Sequence, residues 1–233
     1  MPYYGFYFDP TYILVVIGAV ICLIASAKVN STFNKYNKVR SMTGMTGAQV
    51  AERILQAQGL YGVRVEHIGG NLTDHYDPRT KVVRLSDAVY NSSSVAAIGV
   101  AAHECGHAIQ DQKEYAPLRI RSAIVPAANF GSKVCWLFII GGLLLGANQV
   151  LINIGILLFS LAVLFQLVTL PVEFNASNRA IAILDQSGIL SQEEVKGTKK
   201  VLSAAAMTYV ASAAAAILSL LRLLILFGNR DRD

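Results

Sequence analysis

The sequence predicts a mainly α-helical membrane protein with about four transmembrane helices and a polar domain that carries a small β-sheet or hairpin. Of 233 residues, 54% are hydrophobic and only 15% are charged, and the mean hydropathy is +0.46. These values are typical of membrane proteins. Long apolar runs occupy residues 11–27, 134–172 and 201–227. The rest of the chain suffices for one modest polar domain.

Residues 11–27 are the first predicted span. Residues 1–10 are rich in aromatic side chains and contain no Lys or Arg, whereas positive charges follow the run from Lys28 onward. A signal peptide has the opposite order, so we expect a membrane anchor with the N-terminus outside. The net charge of +5 is concentrated beside the apolar runs, where it meets anionic lipid, and no nucleic acid is needed to explain it.

The polar region that follows is predicted to contain a basic linker, one helix and three short strands. The linker covers 31–40, the helix covers 46–55 with Thr46 as its cap, and the strands are 63–66, 72–76 and 81–86. The last two strands flank a turn at 77–80 and predict a β-hairpin.

The sequence His103-Glu104-Cys105-Gly106-His107 lies in a run of helical length. Residues four apart share a helix face, so His103 and His107 can bind one metal ion, and Glu104 can reach a water on that metal. Zinc held in this way can hydrolyse a peptide bond. Cys105 points away from the histidines and is expected to be a packing residue. The alternative is an ordinary helix with two buried histidines.

Residues 115–121 are basic and amphipathic and are expected at the membrane surface, in a helix broken by Pro117 and Pro126. Residues 134–172 contain no charge and are about twice as long as one span requires. A turn at 146–149 makes them a predicted helical hairpin that leaves and re-enters the same side.

Glu173 is the first charged residue after the hairpin, and Pro171 can break or restart the helix before it. Beside the motif helix, Glu173 would complete a site of two histidines and one carboxylate. The alternative is a plain interfacial glutamate. Residues 185–200 are polar, with Ser191 capping a short helix. Arg222, near the end of the last apolar run, either extends to the outer interface or forms a buried ion pair.

The predicted layout has six parts, with the polar parts on the cytoplasmic side. They are an anchor at 1–27, a protease region at 28–133, a transmembrane hairpin at 134–172, a cytoplasmic segment at 173–200, a transmembrane helix at 201–227 and a tail at 228–233.

With these motifs in place, the chain resembles the bacterial YugP-like membrane zinc metallopeptidases. The matching segments are 8–12, 74–86, 101–110 and 170–177. More distantly, it resembles the HtpX and CAAX-type membrane proteases. The resemblance implies a zincin-like, gluzincin-like domain in which Glu173 is the third zinc ligand. Asn175 and Ser177 stand where such proteases often have acidic residues, which can alter the support of a ligand.

The expected function is that of a membrane-embedded zinc endopeptidase acting on polypeptides at the cytoplasmic membrane surface. One Zn²⁺ would be held by His103, His107 and Glu173, and Glu104 would activate the zinc-bound water. The rival in another class is a non-catalytic zinc-stabilised scaffold or regulator. A protease with its motif inside the bilayer is disfavoured because Asp87 and other charged residues flank the motif helix.

Three details stay open at this point. The last strand can bind an extended substrate by strand addition or can be a covered sheet edge; its residues are Lys81, Val82, Val83, Arg84 and Leu85. The oxyanion-stabilising donor has four candidates: Tyr76, His75, Asn178 and Arg179. His67 and His75 are either extra zinc ligands or polar surface residues.

Overall fold

The computed structural model describes residues 9–228, so the predictions for the aromatic residues before Asp9 and for the tail after Gly228 lie outside it. The described elements are α1 (Tyr12–Asn37), α2 (Gly47–Ala57), β1 (Arg64–His67), β2 (His75–Asp77), β3 (Val82–Leu85), α3 (Val95–Gln112), α4 (Ala116–Leu144), α5 (Gln149–Gln186) and α6 (Gln192–Phe227). The predicted class, mainly helical with a small sheet, is confirmed.

Four helices of the described chain, α1, α4, α5 and α6, are long and apolar enough to cross a membrane. They correspond to the four predicted spans. Between α4 and α5 the chain turns at Gly146 and Ala147, whose φ angles are 76° and 60°. Left-handed backbone of this kind ends a helix abruptly and allows the hairpin to form.

Two prolines predicted to break helices do not break them. Pro126 lies inside α4 and Pro171 lies inside α5, and both helices continue past them. A proline removes one intrahelical hydrogen bond, and the neighbouring turns of a long apolar helix compensate for that loss. Pro117 lies in the first turn of α4, where the missing N–H has no intrahelical partner to lose.

Two other boundaries predicted from composition are also wrong. α1 continues through Asn37 into the predicted linker, and the predicted short helix after Ser191 is the first part of α6. Ser191 N–H donates to Glu194 Oε2 over 2.8 Å, and Glu194 N–H donates to Ser191 Oγ over 3.4 Å, so Ser191 caps this helix. No proline or tight turn follows, so the helix runs on into its apolar part.

The chain divides into two compact units, of which the first comprises the described parts of Met1–Ile24, Ile124–Leu167 and Ala211–Asp233. This unit is apolar and contains the α4–α5 turn. Within it, Arg222 Nη2 lies 3.0 Å from Asp9 Oδ2, and its guanidinium carbon lies 4.0 Å from the centre of the Tyr12 ring. The structure therefore shows an ion pair for Arg222, in which the two side chains are half-buried.

The second unit, Ala25–Ala123 with Val168–Val210, contains α2, α3 and the sheet. The strand order is β1-β3-β2, with β1 parallel and β2 antiparallel to β3. The predicted hairpin is therefore present, and it packs beside α3.

The central position of β3 corrects the prediction of strand addition. Both edges of β3 are hydrogen-bonded to neighbouring strands, so no substrate strand can pair with it. Val82, Val83 and Leu85 are fully buried, and Lys81 and Arg84 are engaged in ion pairs with carboxylates. The free edges of this sheet belong to β1 and β2.

Candidate metal centre

α3 presents the HExxH residues from a rigid position in the core. Ser94 begins the helix by accepting a hydrogen bond from Ala97 N–H over 3.1 Å. One face of α3 is buried through small side chains, including Ala101 and Ala108. Cys105 belongs to this face, as predicted from helical geometry, and its Sγ lies 3.6 Å from the carbonyl oxygen of Ala51. Burial raises the pKa of the Cys105 thiol and keeps it protonated.

Gly106 allows α3 to pack closely against α5. A Cβ atom at this position would lie only 2.7 Å from the carbonyl oxygen of Ala176. Any larger residue would push the two helices apart. The close contact brings the histidines of α3 within reach of Glu173 on α5.

His103, His107 and Glu173 converge on one point. The Nε2 atoms of the two histidines are 3.1 Å apart. Glu173 Oε2 lies 3.3 Å from Nε2 of His103 and 3.6 Å from Nε2 of His107. Glu173 is only 2% exposed and His107 is 8% exposed. Among the described residues, this is the group of His, Cys, Asp and Glu side chains whose donor atoms are clustered closely enough to hold a metal ion.

The donor set and its spacing fit zinc. Ligand atoms placed tetrahedrally about 2.0–2.2 Å from one ion are about 3.3–3.6 Å apart, close to the separations in this cluster. Burial lowers the pKa of His107, but the carboxylates of Glu173 and Glu104 outweigh burial and leave that pKa above its ordinary value. The point of convergence is thus strongly attractive to a cation.

The second nitrogen of each histidine is held by a polar side chain. His107 Nδ1 lies 3.0 Å from Gln110 Oε1, and His103 Nδ1 lies 3.1 Å from Ser177 Oγ. The Gln110 amide is fixed because it donates to Asn175 Oδ1 over 3.0 Å. When Nδ1 donates the hydrogen bond, Nε2 keeps its lone pair free for a metal. Asn175 and Ser177, the two departures noted in the sequence, therefore take part in orienting the histidines.

Arg121, which belongs to the basic segment expected at the membrane surface, forms an ion pair with the cluster. Its Nη1 is 3.4 Å from Glu173 Oε1, the carboxylate oxygen that does not face the histidines. The ion pair fixes the orientation of the Glu173 carboxylate and compensates part of its buried charge.

A small cavity of about 140 Å³ opens beside this cluster. His103, Glu104, Glu173, Ser177 and Tyr209 all contribute to its wall. Glu104 therefore faces the same space as the three clustered residues without belonging to the cluster. Tyr209, on α6, lies close enough to Glu173 and Glu104 for both carboxylates to interact electrostatically with its hydroxyl group.

Sequence reasoning missed Tyr209. The signal was a single tyrosine in the alanine-rich part of an apolar helix, a place where a hydroxyl needs a polar partner. For Arg121 the signal was weaker, because a basic residue near a span is normally explained by lipid.

The other predicted site residues do not line the cavity beside the cluster. Tyr76 donates to Asp111 over 2.7 Å, and burial together with Asp111 raises the pKa of Tyr76. His67 Nε2 lies 2.7 Å from Asp87 Oδ1, and His75 Nδ1 lies 2.9 Å from the carbonyl oxygen of Thr73. These histidines are polar surface residues. In addition, Arg179 Nε donates to Asn175 over 2.7 Å, and Asn178 is exposed.

Comparison with known proteins identifies a family that the chain matches over most of its length. The family model described as "Putative neutral zinc metallopeptidase" matches residues 11–228. A curated relative, "Putative membrane protease YugP" of Bacillus subtilis (strain 168), is 53% identical over 210 residues, which are 90% of this chain and 93% of the relative. No solved structure shows a significant match. With its four apolar helices, the chain is an integral membrane protein. The resemblance to the YugP-like proteins is confirmed, and the chain belongs to the family described as "Putative neutral zinc metallopeptidase".

Proposed function

We propose that the protein is a zinc-dependent endopeptidase that hydrolyses peptide bonds at the cytoplasmic surface of the membrane. His103, His107 and Glu173 hold one zinc ion, and Glu104 is the catalytic base. The observation that carries the proposal is the convergence of two imidazoles and a carboxylate, distant in sequence, on one buried point beside Glu104.

Each residue has a distinct task in this mechanism. When bound, zinc supplies Lewis acidity that polarises a carbonyl oxygen and acidifies water. Glu104 accepts a proton from the attacking water and passes it to the amine nitrogen of the leaving group. Arg121 holds Glu173, and Gln110 and Ser177 hold the histidines. Because Glu104 is buried, bulk water has limited access to its carboxylate.

Tyr209 is proposed as the donor to the oxygen that gains negative charge during attack. Tyr209→Phe should lower kcat by about 10²–10³-fold, the usual cost of removing one oxyanion donor. The zinc content should not change, because His103, His107 and Glu173 all remain in place.

Steady-state kinetics and zinc analysis test this prediction, with Tyr209→Phe measured beside a matched control variant. Tyr76→Phe is the control, because its hydroxyl is bound to Asp111 and does not line the cavity. Equal kcat values for Tyr209→Phe and wild type would remove Tyr209 from the mechanism.

The cytoplasmic orientation is supported by the distribution of charge. Basic residues are dense at 28–40 and 196–200, and both segments belong to the unit that contains the metal centre. Such residues flank spans on the cytoplasmic side. Cysteine labelling at Met42 and Gly146 in intact cells would test the orientation.

Metal removal tests the function directly. Full-length protein purified in a neutral detergent should cleave members of a quenched-fluorescence peptide library. Cleavage should stop after treatment with 1,10-phenanthroline and return with added Zn²⁺, at about one zinc per chain. Zinc-loaded, folded protein that cleaves no library member would contradict the proposal.

A further inference from the structure

A second, larger cavity lies between α1 and α6, in the same unit as the metal centre. Its volume is about 570 Å³. Five lysines contribute to its wall and no acidic residue does; they are Lys28, Lys35, Lys196, Lys199 and Lys200. The sequence spacing explains the concentration of charge, because residues three, four and seven apart lie on one face of a helix.

These charges are poorly compensated within the protein. Lys196 Nζ lies 2.7 Å from Glu193 Oε1, and the charge of Glu193 also acts on Lys200. Among the residues that the structure describes, Lys28, Lys35 and Lys199 form no ion pair within 4 Å. All five ammonium groups are on exposed side chains. Lysines facing one cavity repel one another, so an anion would stabilise the arrangement.

The cavity wall contains both charged and apolar residues. Lys28 comes directly after the uncharged part of α1, and Lys200 directly before the apolar part of α6. Both are therefore at the ends of predicted membrane-crossing stretches, where lipid headgroups lie. Farther along α6, toward the apolar part, the wall is formed by Ala204 and Met207.

We propose that this cavity binds an anionic phospholipid. The lysine ammonium groups donate hydrogen bonds to the headgroup phosphate, and an acyl chain lies along Ala204 and Met207. Clustered lysines at the end of a span favour anionic headgroups. A free phosphate ion would use the lysines but leave the apolar wall uncovered. The site is separate from the metal cavity, which is lined by the other face of α6 through Leu202 and Tyr209.

Native mass spectrometry of the full chain in neutral detergent tests the proposal. The probes are phosphatidylglycerol and phosphatidylcholine with identical acyl chains. Wild type should retain phosphatidylglycerol at least fivefold more than phosphatidylcholine. Lys35→Gln/Lys199→Gln, which removes one charge from each helix, should lose this preference.

The matched control is Lys113→Gln/Lys133→Gln, which removes two exposed lysines that do not line the cavity and should keep the preference. A second cavity variant, Met207→Gln, should weaken lipid retention without removing charge. Circular dichroism and gel filtration verify folding.

Equal retention of the two lipids, or equal loss in the cavity and control variants, overturns the proposal. Competition by millimolar inorganic phosphate with unchanged binding in Met207→Gln would identify a free-phosphate site and overturn the lipid assignment. Glu104→Gln should bind lipid normally, so this result is independent of peptidase activity.

Discussion

Glu104→Gln is expected to reduce peptide hydrolysis by about 10²–10⁴-fold, the usual contribution of a general base. The amide has nearly the same shape as the carboxylate but cannot accept the proton of the attacking water. Zinc content should be unchanged, because Glu104 is not one of the three clustered ligand residues. Its side chain is only 7% exposed and lines the cavity, so bulk solvent has little access to the base.

The measurement is kcat/KM on a peptide substrate, together with zinc per chain by atomic emission. Glu52→Gln is the matched control, since Glu52 is an exposed glutamate on α2. A scaffold that uses zinc only for stability would tolerate Glu104→Gln in every assay. Retained hydrolysis in zinc-loaded Glu104→Gln would therefore favour the scaffold and exclude Glu104 as the base.

Glu173→Ala and His107→Ala should each lower zinc affinity by more than about 10²-fold, beyond the cost of losing a contact that only orients a ligand. Both side chains are buried, and their Nε2 and Oε2 atoms are 3.6 Å apart. Removing either one leaves two ligands for a site that needs three from the protein. In Glu173→Ala, Arg121 also loses its partner, which makes the vacant site more positive and less attractive to a cation.

Competition with a fluorescent zinc chelator gives the affinities. Glu173→Gln keeps the volume of the side chain and guards against misfolding of the alanine variant. Ser177→Ala, which removes a contact to His103 Nδ1 but no ligand, should cost only about 10–100-fold. Wild-type affinity in both Glu173 variants would refute its role as a ligand and direct attention to other carboxylates.

Local patterns predicted the part of the site that depends on one helix. His103, Glu104 and His107 share one helix, and their relation follows from helical periodicity alone. Glu173 could be recognised as a candidate ligand from the sequence, because it is the first charged residue after a long apolar run. Arg121 and Tyr209 were not predicted, because their positions depend on the rotation and depth of α4 and α6, which are set by packing between helices.

The same limit applies to the fold. The number of long apolar helices followed from hydropathy, since each run must be long enough to cross a bilayer. The helix-breaking effect of Pro126 and Pro171 was overestimated. The free-energy cost of one lost backbone hydrogen bond is small compared with the stability of a long helix in apolar surroundings. The central position of β3 in the sheet could not be predicted from its own residues. β1 pairs with β3 in parallel, and parallel strands are not joined by a short turn that the sequence would reveal.

The order in which the centre is assembled has a consequence for biosynthesis. His103 and Glu173 are 70 residues apart, and the α4–α5 turn lies between them in the chain. When the HExxH helix has just emerged from the ribosome, the nascent chain still lacks the third ligand. Tyr209 is synthesised later still. On the proposed assignment, the peptidase becomes active only after its membrane hairpin has been synthesised. Chains that end before Glu173 therefore pose no proteolytic hazard to the cell that makes them.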